Sequence, residues 1–142
     1  MSNKPVNGNG RQPAHDRIHA EMLDSFEEEL ELEIDDDRLD ALTEELSGGL
    51  RDVMSEYDLP FHVVSMGARG CVTYRKDPVR NYRDYAAMNK SLAYVSWLYQ
   101  TNRGVLMAPG AEENWTLSVQ HQSDDVRRYV DNFRELAKDL QA

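Results

Sequence analysis

The stretch NRGVLMAPGAEENWTLSVQH, residues 102–121, decides how the rest of this 142-residue chain is expected to fold. Two short apolar runs, at 105–107 and 115–119, flank a polar loop over 108–114. Short apolar runs bounded by Gly, Pro and Asn are typical of strands. We therefore predict two strands here, with the other core elements packed around them.

Two amphipathic helices are predicted, one on each side of this stretch in the sequence. Apolar side chains recur on one helical face over 38–57 and again over 123–140. Ser123 is expected to cap the second helix, because its hydroxyl can accept a hydrogen bond from a first-turn N–H. Gly48 and Gly49 each weaken the first helix by roughly 1 kcal/mol relative to Ala, and so indicate the close approach of another element.

A third helix is predicted over 89–102, after an irregular stretch or short helical turn over 81–88. Asn89 is a suitable N-cap, and Gly104 stands where the glycine after a helix C-terminus belongs. Apolar side chains occur on more than one side of this helix. We therefore expect it to be largely buried.

The remaining apolar runs, 61–66 and 71–74, are predicted to form two more strands. Residues 67–70, Gly-Ala-Arg-Gly, can turn the chain between them. The order helix, two strands, helix, two strands, helix is typical of an α+β fold. We predict a small, mostly antiparallel sheet with helices packed on one face.

The composition of the chain limits its ligands and its location. With 26 acidic and 16 basic residues, the formal net charge is −10, and most of such a surface repels nucleic acid phosphates. No apolar run approaches the ~18 residues of a membrane span, and the N-terminus lacks an apolar signal core. The single cysteine, Cys71, favours a reducing compartment. We expect a cytoplasmic protein that binds neither nucleic acid nor membranes.

The N-terminal residues 1–37 differ from the rest in composition. Residues 1–15 are rich in Asn, Gly and Pro and are predicted to be disordered. Apolar side chains over 15–34 recur at four-residue steps, which indicates a thin helix, although the last of them also alternate as in a strand. Residues 21–45 contain 13 acidic side chains and one basic one. We interpret 1–37 as an acidic extension, helical or disordered, and 38–142 as the folded domain.

Metal binding is not expected. His15 and His19 stand four residues apart and could share an ion on a helix, yet no third ligand occurs at a suitable spacing. The acidic run 27–37 lacks the alternating Asp/Asn pattern and central Gly of a calcium loop.

Five pieces of sequence follow one another along 38–142: RLDALTEELSGGL, MGARG, PVRNYRDY, NRGVLMAP and SVQHQSDDV. In this order they resemble an entering helix, a Gly-Ser-Met-like turn, a proline-and-tyrosine connection, a Gly-Val-x-x-x-Pro strand and a Ser-x-x-His strand before a final helix. The chain is thereby similar to the C-terminal small domain of class-III pyridoxal-phosphate aminotransferases, and most resembles the glutamate-1-semialdehyde aminomutase branch. The segment 1–37 does not resemble the large domain, and is either a separate extension or the remnant of a truncated or rearranged gene.

The resemblance implies a cofactor, pyridoxal phosphate, in the complete family. There a large domain supplies the lysine that bonds to the cofactor, together with the aspartate and backbone groups that hold it. Lysines occur here as Lys4, Lys76, Lys90 and Lys138, and none has the strand–loop setting of the family lysine. We therefore expect no bound cofactor, no catalytic residue and no transaminase activity from this chain alone.

Glu113 and Arg69 are the candidates for the substrate entrance. In the aminomutase branch a glutamate at the matching loop position lies near that entrance, so the resemblance implies that Glu113 holds a substrate amine or gates access. An exposed loop acid beside Glu112 is the simpler alternative. Arg69 and Ala68 depart from the family pattern, which leaves an ω- or β-amino-acid transaminase open. The planar guanidinium of Arg69 could hold a carboxylate. The alternative is that Arg69 is an ordinary turn residue.

The structural members of the family motif are Gly67, Gly104, Pro109, Ser118 and His121. Ser118 is expected to bond to the backbone, and His121 to brace the loop before the final helix. A nucleophilic Ser–His pair needs an orienting acid and an oxyanion site, and the sequence indicates neither.

Two functional hypotheses follow. The first is the small domain of a pyridoxal-phosphate-dependent, aminomutase-like aminotransferase, inactive alone and able to pair with a large-domain chain. The second is a non-catalytic interaction module whose acidic N-terminal segment docks on a basic partner. Without a large domain, the face bearing Val105, Met107 and Trp115 is expected to be partly bare.

Overall fold

The structure, a computed structural model, describes residues 36–108 and 114–142. The predictions for the N-terminal residues 1–35, including disorder over 1–15, lie outside the described residues. So do Pro109 and Glu113. The domain boundary placed at residue 38 stays a prediction.

The described residues form an α+β fold, as predicted. The helices are α1 (Asp36–Glu56), α2 (Tyr82–Ala86), α3 (Lys90–Asn102) and α4 (Ser123–Gln141). The strands are β1 (His62–Met66), β2 (Arg69–Thr73) and β3 (Asn114–Thr116), and they form one antiparallel sheet in the order β1-β2-β3. None of these helices is long and apolar enough to cross a membrane.

The core lies between α1, α4 and one face of the sheet. Its buried apolar side chains form one cluster, which includes Leu42, Leu46, Leu50 and Val53 of α1, Val72 and Trp115 of the sheet, and Val126, Tyr129, Phe133 and Leu136 of α4. The helical members recur at three- and four-residue spacing, which is why the sequence periodicity predicts both helices. Because burying one large apolar side chain contributes about 1.5–3 kcal/mol, this cluster supplies the main stabilisation of the fold.

The hairpin of β1 and β2 has a tighter turn than the four residues predicted. Met66 pairs with Arg69, so the turn consists of Gly67 and Ala68. Gly67 has a φ of 52°, in the left-handed region that glycine adopts without strain and that two-residue hairpin turns commonly require. Arg69 and Gly70 are therefore strand residues, not turn residues.

The face expected to be partly bare is only partly so, because Trp115 is buried against Gly70 whereas Val105 and Met107 are half-buried. The indole is 6% exposed. A Cβ added at Gly70 would lie 2.3 Å from Cζ2 of Trp115 and 2.7 Å from the carbonyl oxygen of Val64. The missing side chain at Gly70 thus provides the space in which the indole packs.

The strand predicted over 105–107 is wrong. The backbone N–H of Val105 donates to the carbonyl of Gln100 at 3.0 Å. The carbonyl of Met107 accepts from Nε1 of Trp97 at 3.1 Å. Because these bonds attach the segment to α3, it forms no ladder with the described strands.

The strand predicted over 115–119 is shorter in the structure. β3 ends at Thr116, and one further bond joins the N–H of Leu117 to the carbonyl of Ala68 at 2.8 Å. The chain then turns, and the N–H of His121 donates to the carbonyl of Ser118 at 3.0 Å. Ser118 therefore follows the strand instead of lying on it.

The cap predicted for α4 is displaced by one residue. Gln122 is the N-cap, and its N–H donates to the carboxylate of Asp125 at 2.9 Å. Ser123 is the first helical residue. Asp124 and Asp125 lie in the first turn, where negative charge complements the helix dipole.

Helix α3 has the predicted ends but is less buried than predicted. The side chain of Asn89 accepts from the N–H of Leu92 at 3.0 Å, and Gly104 has a φ of 86° just beyond the helix. The buried residues of α3 are Ala93, Ser96 and Gln100. Several of its large apolar side chains face outward instead.

Alanine substitutions at Gly48 and Gly49 should change stability in opposite directions. Nothing lies within 4 Å of a Cβ at Gly48, so Gly48→Ala should raise the free energy of unfolding by up to about 1 kcal/mol. A Cβ at Gly49 would lie 2.8 Å from Cγ2 and 3.0 Å from Cγ1 of Val130. Gly49→Ala should therefore lower that free energy, by roughly 1–3 kcal/mol. Urea unfolding measures both, and equal stabilisation by the two variants would contradict this packing of α1 on α4.

Candidate functional site

A cleft of about 430 Å³ lies between the segment that follows α3 and the first turns of α4. Its apolar lining includes Leu46, Val105, Met107, Trp115, Leu117 and Val126, and its polar lining includes Thr116, His121, Asp125 and Arg128. Clefts that combine apolar walls with a few convergent polar groups are typical of small-molecule sites. The cleft is therefore the candidate functional site in the described part of the chain.

One wall of the cleft, the segment 104–108, is anchored to α3. Gly104 donates its N–H to the carbonyl of Thr101 at 3.2 Å, and its left-handed φ lets the chain leave the helix sharply. The bonds of Val105 to Gln100 and of Met107 to Trp97 continue this attachment. The wall is thus held by hydrogen bonds to α3, from both backbone and side chain, that do not depend on β3.

Ser118 and His121 contact each other at another side of the cleft. Nδ1 of His121 lies 3.0 Å from the backbone nitrogen of Ser118 and 3.0 Å from its Oγ. Since Nδ1 accepts the backbone N–H, the ring proton must be on Nε2 in the neutral form. No described carboxylate is within hydrogen-bond range of this ring to orient it as a base. The contacts fit a brace of the turn better than a nucleophilic pair.

Arg38, at the start of α1, holds the same turn from outside. Its guanidinium donates to the carbonyl of Val119 at 2.6 Å and to that of His121 at 2.7 Å. A planar guanidinium can make two such bonds at once, which an ammonium group cannot do with the same geometry. Arg38 therefore fixes the backbone that carries His121 into the cleft.

The sequence-derived site residues are only partly brought together. Gly104 and His121 line the cleft, and Ser118 touches His121. Gly67 and Arg69 are not among the lining residues. Arg69 lies exposed on β2. Its strand partner is Thr116, which does line the cleft. Pro109 and Glu113 lie outside the described residues.

Three contributors to the site were missed by the sequence analysis. Asp125 and Arg128 line the cleft from α4, and Arg38 holds its turn from α1. Asp125 and Arg128 are three residues apart in the predicted helix, which places them on one face, and they follow His121 closely in the sequence. That spacing could have indicated that they lie near His121. Arg38 had no local signal, because the residue it binds is 83 positions away in the sequence.

Cys71 has no sign of nucleophilic use. The thiol is half-buried on β2, and burial raises the pKa of Cys71. A raised pKa keeps the thiol protonated at neutral pH, whereas a reactive cysteine needs the thiolate. The interpretation of Cys71 as a small packing residue is therefore the better one.

The comparisons with known proteins point to one enzyme class. No family model matches the chain. Glutamate-1-semialdehyde 2,1-aminomutase 2 of Oceanobacillus iheyensis is 29% identical over 112 residues, which are 78% of this chain and 24% of that protein. A solved glutamate-1-semialdehyde aminomutase of Pseudomonas aeruginosa PAO1, in complex with PMP, has a TM-score of 0.69 at 26% identity over 77% of this chain and 25% of that one.

The chain is similar in sequence and fold to glutamate-1-semialdehyde aminomutases. The resemblance to the C-terminal small domain of class-III aminotransferases, predicted from five sequence motifs, is thereby confirmed. The chain spans about a quarter of the length of the curated relatives it matches. A β-phenylalanine aminotransferase of Variovorax paradoxus shares the fold, with a TM-score of 0.62 at 17% identity over 73% of this chain and 23% of that one.

The described residues of this aminomutase-like domain do not by themselves fit a covalently held pyridoxal phosphate. Lys76 is exposed beyond β2, Lys90 lies over the ring of Tyr85 at 5.4 Å, and Lys138 pairs with Glu135. None of these three lysines lines the cleft. The described part of the chain thus offers a wall and polar groups for a ligand, without the lysine that would bond to the cofactor.

Arg38→Lys should destabilise the protein while a matched exchange on the same helix should not. Lysine keeps the charge but cannot reach both carbonyls, so the free energy of unfolding should fall by about 1–2 kcal/mol. Arg51→Lys is the control, because Arg51 is half-exposed and lies 3.8 Å from its partner Glu44. That exchange should change stability by less than about 0.5 kcal/mol. Equal urea midpoints for the two variants would contradict the prediction that the Arg38 hydrogen bonds stabilise the turn.

Proposed function

We propose that residues 38–142 serve as the small domain of a pyridoxal-phosphate-dependent class-III aminotransferase of the aminomutase type. The observation that carries this proposal is the joint similarity in sequence and fold to glutamate-1-semialdehyde aminomutases over about three quarters of the chain. In this proposal the cofactor and its lysine belong to a large domain that the 142 residues do not include.

Pyridoxal phosphate, when bound by such a large domain, supplies the amino-group transfer. The part of this chain is to cover the reacting centre and to shape the approach to it. The apolar walls of the cleft, such as Met107 and Leu117, would exclude water from that approach. Arg128 lines the same cleft, and its guanidinium can bind a substrate carboxylate by two parallel hydrogen bonds.

The large domain is proposed to be the partner of this one, and a separate polypeptide can supply it. The chain alone is then inactive, because the described lysines lie away from the cleft. A cytoplasmic location belongs to the same proposal and is favoured by the single, unpaired cysteine. A transaminase acting on ω- or β-amino acids is the second candidate, because Ala68 and Arg69 depart from the aminomutase pattern.

A chimera tests the proposal directly. The 112 matched residues of the Oceanobacillus iheyensis aminomutase are replaced by the corresponding residues of this chain, and turnover of glutamate-1-semialdehyde is measured. We expect turnover well above that of the same enzyme lacking the segment, and none from this chain alone with added pyridoxal phosphate. A chimera that folds and holds the cofactor but is no more active than the shortened enzyme would contradict the proposal. Assays with β-amino acids on the same chimera decide between the two substrate classes.

Two neighbouring glutamates provide a matched pair within that chimera. We propose that Glu113 faces the substrate entrance and that Glu112 is an ordinary loop acid. Glu113→Gln removes the charge that holds a substrate amine, so kcat/KM should fall roughly tenfold or more, which corresponds to about 1.4 kcal/mol of lost transition-state binding. Glu112→Gln should leave it within about twofold. Similar kcat/KM values for the two variants would mean that Glu113, like Glu112, is an ordinary solvated loop acid.

A further inference from the structure

The fully buried residues of helix α3 are small or polar, and three of its large apolar side chains are exposed, although Leu92 and Tyr99 pack against the core. The inward, buried residues are Ala93, Ser96 and Gln100. The outward residues are Tyr94, Val95 and Leu98, which are 51%, 45% and 37% exposed. A surface helix normally buries its apolar stripe and presents its polar one to water. The exposed stripe of Tyr94, Val95 and Leu98 is therefore a candidate contact surface.

The inward face of α3 is already committed. Nε2 of Gln100 donates to the carbonyl of Tyr129 at 2.9 Å, and Oε1 of Gln100 accepts from Nδ2 of Asn132 at 2.9 Å. These buried bonds fix which side of α3 packs on α4, since a half-satisfied buried amide would be costly. The helix therefore cannot rotate to bury Tyr94 and Leu98 instead.

Aromatic side chains are also found on α2, and Lys90 at the start of α3 contacts one of them. Tyr94 stacks on Trp97 with ring centroids 5.4 Å apart, and the ammonium of Lys90 lies 5.4 Å from the ring of Tyr85. Tyr82, which is 80% exposed, lies 6.0 Å from Tyr85. We group these side chains as the α2–α3 surface and define it by Tyr82, Tyr85, Tyr94, Val95 and Leu98.

The stretch of sequence that carries the α2–α3 surface is positively charged in a chain that is negative overall. Between Arg75 and Arg103 the sequence has six basic residues and two acidic ones, whereas the whole chain has a formal net charge of −10. Both acids, Asp77 and Asp84, are ion-paired with Arg75, at 3.5 Å and 3.3 Å. Among the described residues no carboxylate lies in ion-pair range of the four cations nearest to α2 and the start of α3, which are Lys76, Arg80, Arg83 and Lys90.

An occupant of this surface must combine apolar side chains with negative charge, and the sequence contains such a segment. Residues 18–35 carry eight Asp or Glu side chains and neither Lys nor Arg. Four apolar residues recur there at four-residue steps, namely Ile18, Met22, Phe26 and Leu30. That pattern suits an apolar surface with cationic margins.

We propose that the α2–α3 surface of one copy of this chain binds residues 18–35 of a second copy. Every copy supplies both the surface and the acidic segment, so the complementary pair is present whenever two copies meet. In this proposal the rings and Leu98 take up the apolar side chains, and the basic residues of the same stretch attract the carboxylates. The proposed contact pairs the acidic segment with a basic stretch of the same sequence. It does not depend on the proposed function.

The salt dependence of self-association tests the charge complementarity. Sedimentation equilibrium of the full chain should give a mass above 16.3 kDa that rises with concentration at low salt. Raising the salt from about 0.1 M to about 1 M shortens the screening length from about 10 Å to about 3 Å and should weaken the association. A monomer at every concentration would overturn the proposal, and so would an association that strengthens with salt, because that is the mark of apolar contact alone.

Substitutions on both sides of the contact test which surfaces meet. Tyr94→Ser and Leu98→Ser should each weaken association roughly tenfold, and Phe26→Ser should do the same from the segment. Met66→Ser is the matched control, because Met66 is 84% exposed but lies on β1, so association should be unchanged. Circular dichroism confirms that each variant remains folded.

The pattern across the variants is decisive. Loss of association in Tyr94→Ser without loss in Phe26→Ser would mean another occupant, and loss in Met66→Ser would mean another surface. Either result overturns the proposal. A synthetic peptide of residues 18–35 should also dissociate the oligomer of the full chain, and a peptide with its acids replaced by the amides should not. Failure of the acidic peptide to do so counts equally against the proposal.

Discussion

The close contact between α1 and α4 is the constraint on which the rest of the structure depends. Gly49 lets Val130 approach the α1 backbone to a distance at which any side chain would collide. This approach aligns the two apolar stripes, so that Leu46 and Leu50 meet Phe133 in a core that excludes water. The sheet then needs only one face to complete the core, which explains why three short strands suffice.

The position of the cleft follows from this packing. α4 begins where the turn at 118–121 ends, so the first turns of the helix place Asp125 and Arg128 beside the segment that leaves α3. Arg38 connects the start of α1 to the same turn. The site is therefore built at the meeting of three elements that are distant in the sequence.

Much of the fold could be predicted from the sequence, because helical periodicity and turn residues are local signals. The periodic stripes gave α1 and α4, and Gly67 gave the hairpin. The failure at 105–107 has a different cause. That run has the composition of a strand, but Gln100 and Trp97 bind its backbone, and such tertiary competition leaves no mark in the run itself.

The orientation of α3 was also beyond the sequence. Apolar residues on several sides indicate burial on several sides, yet only a partner already in place can cover all of them. The buried amide bonds of Gln100 select the inward face, and no periodicity reveals that choice. Within the site, Ser118 and His121 were found through a motif, whereas Arg38 begins the helical piece RLDALTEELSGGL, in which nothing marks its bonds to the distant turn.

The indole of Trp97 makes two contacts, one with the cleft wall and one with the exposed side of α3. One ring edge donates to the backbone of Met107 in the cleft wall, and the ring face stacks on Tyr94 at the outer side of α3. A single rigid side chain thus connects the wall of the cleft to the exposed side of α3. A change at Tyr94 and a change in the cleft wall both alter the surroundings of this one indole, so the fluorescence of Trp97 responds to either.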